Sequence, residues 1–72
     1  MRKVGIHVNG NKISQARNKQ LMTQRELAEE VGVTRVTIAQ METKSDRRFM
    51  PSSVRKLSKA LGLPVEEIVN EQ

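Results

Sequence analysis

Residues 24–43, QRELAEEVGVTRVTIAQMET, hold two short helical patterns separated by a single glycine, and that spacing leaves few folds open. The first pattern opens as Met22-Thr23-Gln24-Arg25-Glu26-Leu27. Thr23 is placed to cap a helix, Glu26 to complete a capping box, and Met22 and Leu27 to staple the entry with an apolar contact. The second opening, Val33-Thr34-Arg35-Val36-Thr37-Ile38, repeats cap and staple with Thr37 in place of the glutamate. Between them Gly32 supplies the positive φ that ends one helix and turns the chain sharply into the next. Helices are expected over 24–31 and 35–42. Joined by so short a turn they must pack on each other, with Leu27, Val31, Val33, Ile38 and Met41 facing inward and small Ala28 at the closest approach.

Seventy-two residues make one domain near the lower limit for a self-sufficient core, too small for multi-step chemistry in a deep pocket. Only 36% of the residues are apolar and Phe49 is the one aromatic, so the core is built from Leu, Ile, Val, Met and Ala, which suits packed helices rather than stacked sheets. An all-α fold follows. The chain has no cysteine, which excludes disulfides and thiolate metal sites. No apolar run approaches the ~20 residues of a membrane span, and MRKVGIHVNG lacks the apolar segment of a signal peptide, so a cytoplasmic protein is expected.

Three further helices complete the pattern. One runs over 12–20 with Ile13 and Ala16 on one face. Another follows Pro51, capped by Ser52 or Ser53, and carries Val54, Leu57, Ser58 and Leu61 as a stripe before Gly62 stops it. Pro64 then starts a short helix whose Glu66 and Glu67 suit the positive end of its dipole and whose Val65, Ile68 and Val69 are left to pack. Residues 1–10 read as a separate arm or strand ahead of a domain over 11–72. There Val4, Ile6 and Val8 alternate with Lys3, Gly5 and His7 until Asn9-Gly10 breaks the run, with no second strand in view. The segment is a disordered basic arm, a rim strand on the helices, or half of an intermolecular ribbon. His7 has no sequence partner for metal or nucleophilic chemistry and is expected as an exposed strand residue without a role.

The ordered set of motifs resembles the lambda-repressor-like helix-turn-helix family, which includes phage repressors and Cro proteins. The matching elements are Arg17 in the first helix, Thr23-Gln24-x-x-Leu27-Ala28, Val31-Gly32-Val33 at the turn, Thr37-Ile38-x-x-Met41-Glu42, and Leu57-x-x-Ala60-Leu61-Gly62, covering residues 11–69. The chain departs where the family usually has Gly, at Leu21, and where it usually has a Ser or Thr cap, at Pro64. The resemblance implies a compact five-helix domain that binds double-stranded DNA, with Arg17 and Glu42 as a structural ion pair tying the first helix to the end of the third.

In such a domain the outward, N-terminal part of the third helix enters the major groove. With Ile38 and Met41 inward, Arg35, Val36, Ala39 and Gln40 are the candidate base readers. Arg35 can fork onto guanine O6/N7, Gln40 can pair with adenine N6/N7, and Val36 or the Thr34 methyl can touch a thymine methyl. Gln24, at the first turn of its helix, can clasp a phosphate together with free backbone N–H groups, as the matching Gln of the family does. Thr34 and Thr37 combine capping with possible backbone contacts. Lys44, Arg47 and Arg48, in the loop after the reading helix, are placed for phosphates. Phe49 and Met50 are expected to anchor that loop to the core, because one aromatic cannot make a base-stacking platform.

The net charge of +5 is unevenly spread: residues 1–25 hold six basic residues and no acid, residues 34–60 seven basic against two acidic. Basic stretches therefore flank the reading helix, as binding to a polyanion requires. The expected function is a sequence-specific regulator of transcription, most simply a repressor, acting as a homodimer on two half-sites. The rival is a protein-interaction module such as an antitoxin or adaptor. No paired carboxylates, nucleophile–base set or ligand cluster has a recognisable spacing, so neither an enzyme nor a cofactor or metal site is expected. Two surfaces compete for dimerisation, the Val4-Ile6-Val8 strand, slightly preferred as a ribbon, and Val65, Ile68 and Val69.

Overall fold

The structure is a computed structural model that describes residues 5–44 and 47–70. Its helices are α1 (Gly10–Lys19), α2 (Gln24–Val31), α3 (Arg35–Thr43), α4 (Pro51–Leu61) and α5 (Val65–Ile68). This is the all-α, five-helix architecture expected from the caps and stripes. α2 packs on α3 and α4, α1 crosses α3, and α5 closes on α4 and α1. Every helix contributes to one core: Ile13 from α1, Leu27 and Val31 from α2, Ile38 and Met41 from α3, Val54, Leu57 and Leu61 from α4, and Ile68 from α5 are all buried. Each such side chain contributes roughly 1.5–3 kcal/mol on leaving water. Val33 packs at the rim of this core.

The cap grammar is realised at both openings of the helix-turn-helix. The Thr23 hydroxyl accepts from the Glu26 amide at 3.0 Å and the Glu26 carboxylate accepts from the Thr23 amide at 2.8 Å. The Thr34 hydroxyl accepts from the Thr37 amide at 3.2 Å, and the two threonine hydroxyls lie 3.1 Å apart where a glutamate would otherwise close the box. Gly32, at φ 84°, ends α2 in the left-handed region. Leu21 adopts φ 59° while standing 91% exposed, so the α1–α2 turn keeps a left-handed geometry although a side chain occupies the glycine position.

Three local expectations are corrected. α1 begins at Gly10 rather than Lys12, because Asn9 caps it by accepting from the Lys12 amide at 3.2 Å; Asn9-Gly10 is a helix start rather than a simple break. α4 begins at Pro51 with Met50 as its N-cap and no side-chain cap, so neither Ser52 nor Ser53 caps it; a proline at the first position needs no amide partner. Met50 is 61% exposed and anchors nothing, while Phe49 is buried.

The described part of the N-terminal segment is a rim strand. Ile6 and Phe49 form an antiparallel pair, exchanging backbone hydrogen bonds of 2.8 and 2.9 Å. Val8 faces Val69 in a second antiparallel pair, flanked by Asn9 N–H to Ile68 C=O at 2.6 Å and Asn70 N–H to His7 C=O at 2.9 Å. Successive residues of a strand direct their backbone groups to opposite edges, so Ile6 serves one side and His7 and Asn9 the other. The segment thus lies between the α3–α4 loop and the residues after α5, with both edges occupied and Val8 buried in the core. Within the described segment the Ile6 amide and carbonyl, the His7 carbonyl and the Asn9 amide are taken by the rest of the fold, which counts against the preferred intermolecular ribbon; Val4 lies outside the described residues. Phe49 turns inward where Ile6 pairs with it, and its strand neighbour Met50 therefore turns outward.

Candidate nucleic-acid interface

α3 is the element on which a reading face can be tested. Ile38 and Met41 are fully buried, which fixes the rotation of the helix. At 100° per residue, Val36 and Gln40 then point away from the core, with Ala39 beside Val36 on the side toward Arg35. Val36 is 54% exposed, a large apolar side chain left in water, and Ala39 and Gln40 are half-buried. Arg35 is exposed but stands on the flank of the helix, seven residues and two turns from Glu42 on the same side. Thr43 stands on the outward row with Val36 and Ala39 and was missed by ending the helix at Glu42; its hydroxyl donates to the Ala39 carbonyl at 2.7 Å.

The flank carrying Arg35 holds a connected polar network. Arg17 Nε donates to Glu42 Oε2 at 2.7 Å and Arg17 Nη2 to Glu42 Oε1 at 3.1 Å, while Arg17 Nη1 reaches the Met22 carbonyl at 2.8 Å. The two side chains are only 13% and 6% exposed, so the pair that ties α1 to the end of α3 belongs to the nearly buried regime. The hydrogen bond to Glu42 and its charge hold Arg17 above its ordinary pKa against the opposing effect of burial. Gln24 extends the network: its Nε2 donates to Glu42 Oε1 at 3.1 Å and its Oε1 accepts a long 3.4 Å contact from Arg35 Nη1. The Gln24 side chain is thus engaged inside the protein rather than extended toward solvent. What α2 offers an anion directly is the pair of first-turn amides at Gln24 and Arg25, which helix geometry leaves without an intrahelical acceptor.

At the opposite end of α3, Lys44, Arg47 and Arg48 are exposed. Residues 45 and 46 lie outside the described residues. Arg48 is not a freely hinged cation: its Nε donates to His7 Nε2 at 3.2 Å. His7 is half-buried and paired, which corrects the expectation of an exposed strand residue. Thr34 is exposed at the head of α3 and Thr37 half-buried beside it. The candidate contacts therefore form a band along α3, from the α2 and α3 N-termini through the outward row to the basic loop. Among the described residues no group of His, Asp and Glu has metal-site geometry, and no helix is long and apolar enough to cross a membrane.

A family model described as helix-turn-helix matches residues 13–68. No curated protein sequence shows a significant match. Among solved structures, the P22 c2 repressor bound to a synthetic operator is 33% identical with a TM-score of 0.73, covering 79% of this chain and 85% of that one. SinR in complex with DNA is 26% identical with a TM-score of 0.72, over 79% of this chain and 90% of that one. The restriction-modification controller protein C.AhdI from Aeromonas hydrophila shares the fold at 24% identity and a TM-score of 0.72, over 81% of this chain and 86% of that one. With its capped helix pair, its buried Arg–Glu tie and this match over most of its length, the chain belongs to the lambda-repressor-like helix-turn-helix family of DNA-binding transcriptional regulators.

Proposed function

We propose that this protein is a sequence-specific repressor that acts in the cytoplasm by occluding an operator, reading the major groove with α3. The observation that carries the reading is the face of α3 itself. Ile38 and Met41 are consumed by the core, while Arg35 and Val36 are exposed and Ala39 and Gln40 only half-buried. Arg35 is the donor suited to guanine, Gln40 to adenine, and the exposed Val36 to a thymine methyl. The amides of Gln24 and Arg25 and the side chains of Thr34, Thr37, Lys44, Arg47 and Arg48 supply the phosphate contacts that set register. The similarity to the P22 c2 repressor, solved with an operator, supports the same use here. No catalytic role is part of this reading.

One short helix reads too few base pairs to be specific alone, so two copies are proposed to occupy half-sites about one helical turn apart. Selection of bound sequences from random duplexes tests the reading directly. Arg35→Ala should relax preference at one position per half-site and cost about 1–3 kcal/mol, while Arg47→Ala weakens all sequences alike and lowers the salt slope by about one. An unchanged selection profile for Arg35→Ala refutes the assignment of the reading face. Failure of the unmodified protein to bind any duplex at low salt refutes DNA binding and leaves the protein-interaction module, an antitoxin or adaptor, in its place.

A further inference from the structure

We propose that His7 is a positioning residue for DNA binding: from the rim strand it holds Arg48 in the conformation that meets the phosphate backbone. The inference rests on the reading of Arg48 as a phosphate contact. Three observations converge on this one spot. The Arg48 guanidinium Nε donates to His7 Nε2 at 3.2 Å. The next residue, Phe49, is locked by two backbone hydrogen bonds to Ile6, the residue before His7. Gly5 lies against the Arg48 stem so closely, at φ +123°, that a Cβ there would stand 2.8 Å from Arg48 Cβ. Side chain, backbone and steric contact therefore all tie residues 5–7 to residues 48–49.

An arginine that takes a phosphate from solution gives up rotamer freedom at that moment, and an arginine already held has given it up during folding. Held through Nε, Arg48 keeps its two terminal Nη groups for a second acceptor, since the guanidinium carries five N–H donors in a fixed fork. His7 is anchored in turn, because its carbonyl accepts from the Asn70 amide at 2.9 Å on the far edge of the strand. The strand thereby contributes to affinity without itself touching DNA.

A positioning role and a direct contact leave different signatures in salt. Removing a phosphate contact lowers the slope of log affinity against log salt, whereas loosening a contact that still forms weakens binding at every salt concentration and leaves the slope in place. Binding to a random-sequence duplex pool and to duplexes enriched from it, read by fluorescence anisotropy across a salt series, separates the two. His7→Ala should weaken binding to all sequences by about two- to tenfold with an unchanged slope, and His7→Gln, which keeps an acceptor, should restore most of the loss. Arg48→Ala should lower the slope by about one, and adding His7→Ala to it should have no further effect. Thermal melting of each variant registers any loss of fold.

A full effect of His7→Ala in the Arg48→Ala background overturns the proposal, as does a lowered slope for His7→Ala alone. So does unchanged affinity for His7→Ala while Arg48→Ala weakens binding. If Arg48→Ala changes nothing in a protein that binds duplexes, the assignment of Arg48 fails and the positioning role fails with it. If the unmodified protein binds no duplex, the functional reading itself has failed.

Discussion

Breaking the Arg17–Glu42 pair should destabilise this protein far more than the loss of a surface ion pair. The Glu42 carboxylate receives two donors from Arg17, at 2.7 and 3.1 Å, and a third from Gln24 at 3.1 Å. With the partners only 13% and 6% exposed, removing one leaves the other with little water to replace it. In that regime the loss is ~3–5 kcal/mol, against under ~1 for an exposed pair. A chain of 72 residues has on the order of 4–11 kcal/mol of total stability, so Glu42→Ala alone removes a large share of it. Arg17→Glu should be worse, because it sets two carboxylates against each other. The swap, Arg17→Glu with Glu42→Arg, should recover part of the loss but not all of it. The Met22 carbonyl loses its donor from Arg17 Nη1, and the Gln24 amide must present its oxygen instead of its nitrogen. Urea unfolding of the unmodified protein, Arg17→Glu, Glu42→Arg and the swap, followed by far-ultraviolet circular dichroism, gives the coupling energy. Losses that add to within about 0.3–0.5 kcal/mol would show that the pair contributes nothing as a pair, and the network argument would fall.

Three other outcomes follow from local geometry. Leu21→Gly should raise stability by about 0.5–1 kcal/mol, since relief of left-handed strain of roughly 1–2 kcal/mol outweighs the added freedom of the unfolded glycine and the exposed side chain loses almost no burial; a lowered melting temperature contradicts this. Gly10→Ala tests the opposite sign, because helix propensity favours alanine by about 0.5–1 kcal/mol while its Cβ would collide with the Glu42 carbonyl at the α1–α3 crossing; denaturant titration should show a net loss of about 1–3 kcal/mol, and a gain would mean that the two helices separate freely. Lys12 lies 2.8 Å from Glu67, and its hydrogen bond and charge hold that carboxyl below its usual range. The small stabilisation is present above the unfolded carboxylate's pKa and is lost as pH falls through the lowered folded value, so the melting-temperature gap between the unmodified protein and Lys12→Met should close in acid; a gap that widens there contradicts the assignment.

Both limits of α2 and the start of α3 were legible because their determinants are local. A threonine cap, a glutamate three residues on and a glycine at the turn act within a few positions of one another. The Arg17–Glu42 tie was legible only through the family resemblance, since no periodicity links residues on different helices. What escaped was everything decided by a distant neighbour. Ile6 and Val8 showed the period of a strand, but their partners are single residues, Phe49 and Val69, lying in irregular chain with no alternation to announce them. His7 showed no partner because Arg48 is brought to it only by the pairing of Ile6 with Phe49. Gly5 carries no turn signal and Asn9-Gly10 signals only a break; each glycine is required by a backbone or side chain that arrives from the other half of the molecule. On α3 the buried pair Ile38 and Met41 was readable and with it the outward face. The engagement of Gln24 by Glu42 was not, because a flexible amide beside several donors and acceptors is settled by packing.

The rim strand also imposes an order on assembly. Residues 5–9 leave the ribosome well before residues 47–49 and 68–70 are synthesised, yet their backbone partners are Phe49, Ile68 and Asn70. Until those arrive, Val8 has no core to enter and Ile6 no edge to pair with, so an early-made segment is among the last to be placed. Its closure spans nearly the whole domain, the kind of long-range contact that slows folding relative to local helix pairing. The capped helices can form and dock without it. Phe49, and with it the neighbouring Arg48 that His7 holds, reaches its place only when that closure is made.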